Sequence, residues 1–147
     1  GGLEQRKVQM LARELLPDVE YTPPVMIHTP LITSLKGPGS KMSKSIPGSG
    51  ISVIDSDAEI TTSVKNAYCP EKIVADNPIL QISQLIIFPR VKEFKVERPA
   101  KFGGNVTFAD YKGLEQEYLA GKLHPMDLKA AVTKYLVEII TPIRKRF

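Results

Sequence analysis

The sequence predicts an α/β segment through about residue 54, followed by a mainly helical domain with a small β-hairpin. Three observations carry this. Helically spaced apolar residues at the start lead into a short, wholly apolar run between prolines. A Gly/Ser-rich stretch then breaks the pattern. Beyond it, helical spacing returns in several stretches, with two short strand-like runs between them.

The elements follow in order. Leu3, Val8, Leu11 and Leu15 recur at helical spacing, which predicts a helix from Leu3 to Leu16, closed by Pro17. Val25-Met26-Ile27-His28, between Pro24 and Pro30, reads as a buried strand with His28 at its end. Lys36 to Gly50 reads as a mobile loop, and Ile51 to Ile54 as a short strand or turn. Asp55-Ser56-Asp57 offers N-cap chemistry for a helix from Ala58 to Tyr68. Asn77-Pro78 starts another helix running to about Phe88, stopped by Pro89. Glu93 to Val96 and Asn105 to Phe108 read as two short strands. Asp110 to Ala120 is a helix ending at Gly121. The longest helix begins at His124, with Leu128, Val132, Leu136, Ile139 and Ile140 on its apolar face. Pro142 kinks or shortens it, and Arg144-Lys145-Arg146 stand at the end where the helix dipole favours cations.

Composition sets the outer limits. At 147 residues, 42% hydrophobic and 24% charged, the chain has the balance of one folded domain or two small ones. No run of about 18 or more apolar residues is present. One cysteine, Cys69, excludes an internal disulfide framework and a multi-cysteine metal site; His28 and His124 show no metal-ligand spacing. No protein-bound metal is expected, and the expected setting is intracellular. The net charge of +4 permits a polyanionic partner. The start, Gly1-Gly2-Leu3, has no initiator methionine and no signal-peptide pattern.

Lys41-Met42-Ser43-Lys44-Ser45 is the most informative stretch. It places two ammonium groups three residues apart on a Gly-rich segment with serine hydroxyls and accessible backbone N–H groups. That combination suits a polyphosphate whose charge moves during reaction. Lysine is a point charge on a flexible stem, able to follow a migrating anion. A basic, solvated loop is the plainer reading of the residue types alone. The string, however, is identical to the signature of class I aminoacyl-tRNA synthetases.

Together with its context, the chain resembles the archaeal/eukaryotic-type tyrosyl-tRNA synthetases over essentially its whole length. The resemblance is carried by Gly1-Gly2-Leu3-Glu4-Gln5-Arg6-Lys7, Met10-Leu11-Ala12-Arg13-Glu14 and the lysine loop, then by Ala67-Tyr68-Cys69-Pro70 and Arg98-Pro99-Ala100-Lys101-Phe102-Gly103-Gly104. His124-Pro125-Met126-Asp127-Leu128-Lys129 and Pro142-Ile143-Arg144-Lys145-Arg146 complete it. It implies that residues 1–54 are the end of a Rossmann-like catalytic domain and 55–147 a helical anticodon-binding domain. It further implies tyrosine activation with ATP-Mg²⁺ as substrate complex, transfer to tRNA(Tyr), a homodimeric full-length enzyme and a cytoplasmic location.

Residue roles follow from the resemblance. Lys41 and Lys44 are expected to stabilise the transition state and the departing pyrophosphate, within an ATP loop that also includes Met42, Ser43 and Ser45. Gln5 is expected to line the tyrosine pocket; its amide both donates and accepts, and the neighbouring glycines allow close backbone approach. As a residue type it fits a solvated helix start equally well. Phe102, His124, Pro125, Met126 and Asp127 are expected to read the anticodon. A carboxylate accepts two parallel hydrogen bonds, and guanine alone among the RNA bases offers two adjacent donors on its Watson–Crick edge. Asp127 also suits a first-turn helix position, and Phe102 a hairpin core. Lys101, Lys129 and the terminal basic run suit either phosphates or solvent. The family's His-Ile-Gly-His-type signature and its upstream tyrosine-binding residues are absent, so the chain by itself is expected to be inactive. The alternative is a standalone tRNA-binding module derived from such an enzyme; an unrelated basic helical interaction domain would not need the lysine loop.

Overall fold

Side-chain caps fix the starts of four helices. The computed structural model describes residues 1–43 and 45–146, which form two compact units, Gly1–Ile32 and Thr33–Phe147. The lysine loop lies in the second unit, whereas the sequence reading groups it with the first.

In the first unit a 3-10 turn, Leu3–Gln5, leads into α1, Arg6–Leu15, and a second 3-10 turn, Leu16–Val19. Pro17 stands inside that second turn, and Glu20 adopts a left-handed φ of 62° that ends it. The expected helix is present. Its apolar residues Leu3, Val8, Leu11 and Leu15 are nonetheless exposed, since a unit of this size has too little chain to enclose them.

The expected strand at Val25–His28 does not form. Val25 is 90% exposed, and the segment is irregular. Parallel pairing only begins here. Gly2 and Thr29 form an isolated parallel bridge, Gly1 N donates to the Ile27 carbonyl at 3.0 Å, and Thr29 N–H donates to the Gly1 carbonyl at 3.0 Å. A buried strand needs a ladder along its length, and the flanking Pro24 and Pro30 contribute no N–H to one.

Among its described residues the second unit carries four α-helices and two short strands. Helix α2, Asp57–Asn66, opens with a capping box: Ser56 Oγ accepts from Glu59 N–H, and the Glu59 carboxylate accepts from Ser56 N–H. Ile51–Ile54 is turn rather than strand. Helix α3, Pro78–Ile82, starts with Pro78 after Asn77, whose side-chain oxygen accepts from Ile79 and Leu80 N–H. The expected continuous helix to Phe88 instead changes pitch. Residues Ser83–Ile87 form a π-turn and Phe88–Arg90 a 3-10 turn. Pro89 supplies no N–H and so forces the ladder to reorganise ahead of it.

Strands β1, Phe94–Val96, and β2, Val106–Phe108, pair antiparallel with Phe94 opposite Phe108. Helix α4, Tyr111–Leu119, is capped by Asp110, which accepts from Gly113 N–H at 2.8 Å. Helix α5, Pro125–Arg144, is capped by the His124 imidazole. The core lies where α2, α3 and the π-turn meet α5, around Ile60, Val64, Ile79, Leu80, Ile87, Leu128 and Val132, all fully buried. Phe94 joins it, stacked on Phe88 at 5.4 Å and tilted against Tyr135 at 5.0 Å. Tyr135 also secures the strand edge: its hydroxyl accepts from Lys95 N–H at 2.9 Å. Truncating one of these large core side chains to alanine typically costs about 2–5 kcal/mol.

Candidate functional site

Three places carry the candidate site residues, and each is built differently. Gln5, in the first unit, ends the 3-10 turn and stands at the N-cap of α1. Its N–H donates to the Gly2 carbonyl at 3.0 Å, which ties it to the Gly1-Gly2 backbone, and its side chain is exposed. In the same unit Gln9 Oε1 and His28 Nε2 are buried without a hydrogen-bond partner.

The lysine loop is a chain of turns held by serines. Ser49 is only 1% exposed. Its hydroxyl donates to the Ser43 carbonyl at 2.8 Å and accepts from Ser43 N–H at 3.0 Å, while its own carbonyl accepts from Leu35 N–H at 2.9 Å. Ser43 and Ser45 hydroxyls lie 2.9 Å apart. The loop base is fixed to the chain just after α2: Tyr68 N–H donates to the Leu35 carbonyl at 2.6 Å, and Gly37 takes φ +97° against the Tyr68 ring. Lys41 is exposed and, among the described residues, makes no ion pair. Met42 packs beside Gly50. Lys44 lies outside the described residues. The outcome is a shaped base with an outward-facing cation, which leaves an ammonium available to an anionic ligand.

The third place lies between the hairpin and the start of α5. Phe102 closes a 3-10 turn, Ala100–Phe102, followed by Gly103 and Gly104 at φ +95° and +70°. Phe102 is 58% exposed, so the hairpin-core reading of it does not hold. Lys101 Nζ lies 4.8 Å from its centroid. Arg98, which residue type and spacing did not single out, connects this turn to the chain before α5. Its Nε donates to the Gly104 carbonyl at 2.6 Å and its Nη1 to the Lys122 carbonyl at 2.7 Å.

At the start of α5, His124 Nδ1 accepts from Met126 N–H at 3.1 Å, and Nε2 lies 3.3 Å from Glu71 Oε1. The cap therefore uses Nδ1 as acceptor and places the imidazole proton on Nε2. Pro125 is buried at N1, Met126 is exposed, and Asp127 takes the N3 position half-exposed. Among the described residues no donor is bonded to the Asp127 carboxylate. Lys129, offered above as a phosphate contact or a solvated side chain, donates to the Lys65 carbonyl at 3.0 Å, at the end of α2.

Behind this surface Tyr118 donates to the Pro70 carbonyl at 2.7 Å and lies 3.2 Å from Cys69 Sγ. Burial pushes the Cys69 thiol and, further, the Tyr118 hydroxyl above their ordinary ranges. Both therefore stay protonated and structural. Among the described residues no group of three or more His, Cys, Asp or Glu could hold a metal ion, and no helix is long and apolar enough to cross a membrane.

Beside its two-stranded sheet and helices, the chain thus presents an exposed lysine on a serine-braced loop and an exposed aromatic on the β1–β2 connection. By its match over residues 1–141 to the family model described as tRNA synthetases class I (W and Y), the chain belongs to that family. Among curated relatives it is 49% identical to the tyrosine–tRNA ligase of Methanospirillum hungatei, over 99% of this chain and 45% of that protein. Its structure is similar to that of the tyrosyl-tRNA synthetase from Archaeoglobus fulgidus complexed with L-tyrosine, with a TM-score of 0.88 and 47% identity over 99% of this chain and 45% of the other. The tyrosyl-tRNA synthetase of Aeropyrum pernix gives a TM-score of 0.81 at 44% identity, over 98% and 42%. A tryptophanyl-tRNA synthetase from Giardia lamblia, at 21% identity and a TM-score of 0.73, shares the fold. The chain thus spans less than half the length of the tyrosine enzymes it matches.

Proposed function

We propose that this chain is the C-terminal portion of a tyrosine–tRNA ligase, supplying the lysine loop for tyrosine activation and the surface that reads the first anticodon base. In the first step the tyrosine carboxylate attacks the α-phosphorus of ATP-Mg²⁺ and pyrophosphate leaves. In the second, a hydroxyl of the terminal tRNA adenosine attacks the activated carbonyl and AMP leaves. Lys41 and Lys44 neutralise charge as it moves onto the departing pyrophosphate. Gln5 takes part in holding tyrosine. Residues 1–54 act with the rest of a Rossmann-like catalytic domain, and 55–147 as the anticodon domain. This functional division at 54 is separate from the compact division at Ile32. The full enzyme is proposed to be a cytoplasmic homodimer.

The observation that supports the RNA part is an exposed Phe102 and an Asp127 carboxylate with no donor bonded to it among the described residues, on two segments that the Arg98 side chain ties together. Guanine matches both: its face stacks on the ring and its N1–H and N2 amino group donate to the carboxylate. His124 and Met126, both exposed, flank Asp127, and the buried Pro125 between them fixes the start of α5.

Two experiments test this. Purified chain is expected to give no tyrosine-dependent ATP–pyrophosphate exchange, and exchange is expected once the remainder of the catalytic domain is joined to it. Lys41→Ala or Lys44→Ala in the joined enzyme should then lower the exchange rate with little change in tyrosine affinity. The chain should bind tyrosine tRNA in preference to a variant with a changed first anticodon base, and Asp127→Ala should abolish that preference. Equal binding of the two RNAs by the unmutated chain would remove the anticodon assignment.

A further inference from the structure

We propose that Arg98 is the positioning residue for base recognition: its guanidinium clamps the turn carrying Phe102 to the connection leading into His124–Asp127. The inference rests on the anticodon reading above. A ring and a carboxylate discriminate one base from another only if both meet the same base in fixed geometry, so something must set the distance between them. The two groups sit on separate pieces of chain. Phe102 lies in the long connection between β1 and β2, while Asp127 lies in the first turn of α5.

Arg98 is the side chain that joins these pieces. One edge of its guanidinium donates to Gly104 O at 2.6 Å and another nitrogen to Lys122 O at 2.7 Å. Its own N–H donates to Asn105 Oδ1 at 3.0 Å, closing the neck of the connection. Among the described residues no carboxylate pairs with Arg98. Its value here is therefore geometric, a planar fork spanning two carbonyls. On the turn side the guanidinium lies within van der Waals reach of Gly103, whose added Cβ would meet Arg98 Nη2 at 3.4 Å. On the other side Lys122 precedes Leu123, which is buried, so the receiving segment is anchored in the core. Without the fork the Phe102 turn keeps its own internal bonds, Phe102 N–H to Pro99 O and Gly103 N–H to Ala100 O. What it loses is its tie to the start of α5.

The test uses the 147-residue chain and two labelled anticodon stem-loop RNAs, with guanine or adenine at the first anticodon position, read by fluorescence anisotropy. Arg98→Ala is expected to weaken binding of the guanine RNA about tenfold, or about 1.4 kcal/mol, and to leave the adenine RNA unchanged. In a Phe102→Ala background the same replacement is expected to have no further effect, because the group it positions is gone. Arg98→Lys should behave like Arg98→Ala, since one ammonium does not reproduce the fork, and it stands in if the alanine variant does not fold. Equal losses for both RNAs would overturn the proposal, pointing to a phosphate contact or general loss of fold. Losses that add fully to those of Phe102→Ala would also overturn it. If the unmutated chain binds the two RNAs alike, or binds neither, the anticodon reading itself fails and takes this inference with it.

Discussion

Replacing Ser49 by alanine removes one hydroxyl and two hydrogen bonds, and both of them shape the lysine loop. The hydroxyl donates to Ser43 O at 2.8 Å and accepts from Ser43 N–H at 3.0 Å from a side chain that is only 1% exposed. A neutral hydrogen bond contributes a net ~0.5–1.5 kcal/mol, and an unpaired group that still reaches water costs little beyond that. The pair together is thus worth about 1–3 kcal/mol. At about 2.1 cal/mol/K per residue over the second unit, this lowers the unfolding midpoint by roughly 4–12 °C. Ser45→Ala is the control, because its hydroxyl is exposed and touches only Ser43; it should change stability by less than about 0.5 kcal/mol. Thermal unfolding gives the global effect, and amide hydrogen exchange resolved at Ser43 and Ile46 gives the local one. Faster exchange at both amides in Ser49→Ala alone is the expected result. Matching exchange and midpoints for the two variants would show that the loop is not held through Ser49.

Gly37→Ala should destabilise by about 2–4 kcal/mol, because φ is +97° and the new Cβ would lie 2.9–3.2 Å from Tyr68 side-chain atoms. Gly39→Ala, with φ +79° but nothing within 4 Å, should cost only the backbone strain, so denaturant midpoints of the two variants separate the contact from the strain. Tyr118→Phe should cost about 1–2 kcal/mol by urea unfolding, since it leaves the Pro70 carbonyl without its donor. The Glu59 carboxyl is held below its ordinary value of 4.5 first by the Ser56 hydroxyl and then by the Ser56 N–H. Its contribution is therefore present above the ordinary carboxylate value and is lost as pH falls through the lowered one. Glu59→Gln should flatten that part of the acid limb in a pH series of unfolding midpoints.

Helix boundaries were legible because their chemistry is local: Ser56 with Glu59, Asn77 with Pro78, Asp110, and His124 with Pro125 are each read within one turn of chain. The strand expected at Val25–His28 was not, because an apolar run states only a readiness to be covered, and covering depends on what else is nearby. The π-turn at Ser83–Ile87 escaped for a related reason. Pro89 announces a stop, but how the ladder rearranges before it is settled by packing of Ile87 in the core. Within the candidate site, residue type pointed to Lys41, Phe102 and Asp127, while the exposure that separates a base-stacking Phe102 from a core one is a tertiary property. Ser49 had no signal of its own, and Arg98 entered only as the first residue of a stretch that carries the family resemblance. An arginine beside a proline and a serine among serines look ordinary until their acceptors, far along the chain, are known.

Helix α5 runs for 20 residues, about 30 Å at 1.5 Å per residue, and is fastened at both extremes. At one end the His124 imidazole receives Met126 N–H; at the other, Arg144 grips the Asp55 carbonyl and the Asp57 carboxylate. Each residue added to or removed from a helix turns everything beyond it by about 100°. A single insertion or deletion within α5 would therefore keep one fastening in phase only by throwing the other off axis. The rod acts as a ruler whose length is set by its two attachments, so side-chain identity along its outer face is free to drift while the residue count between His124 and Arg144 is not.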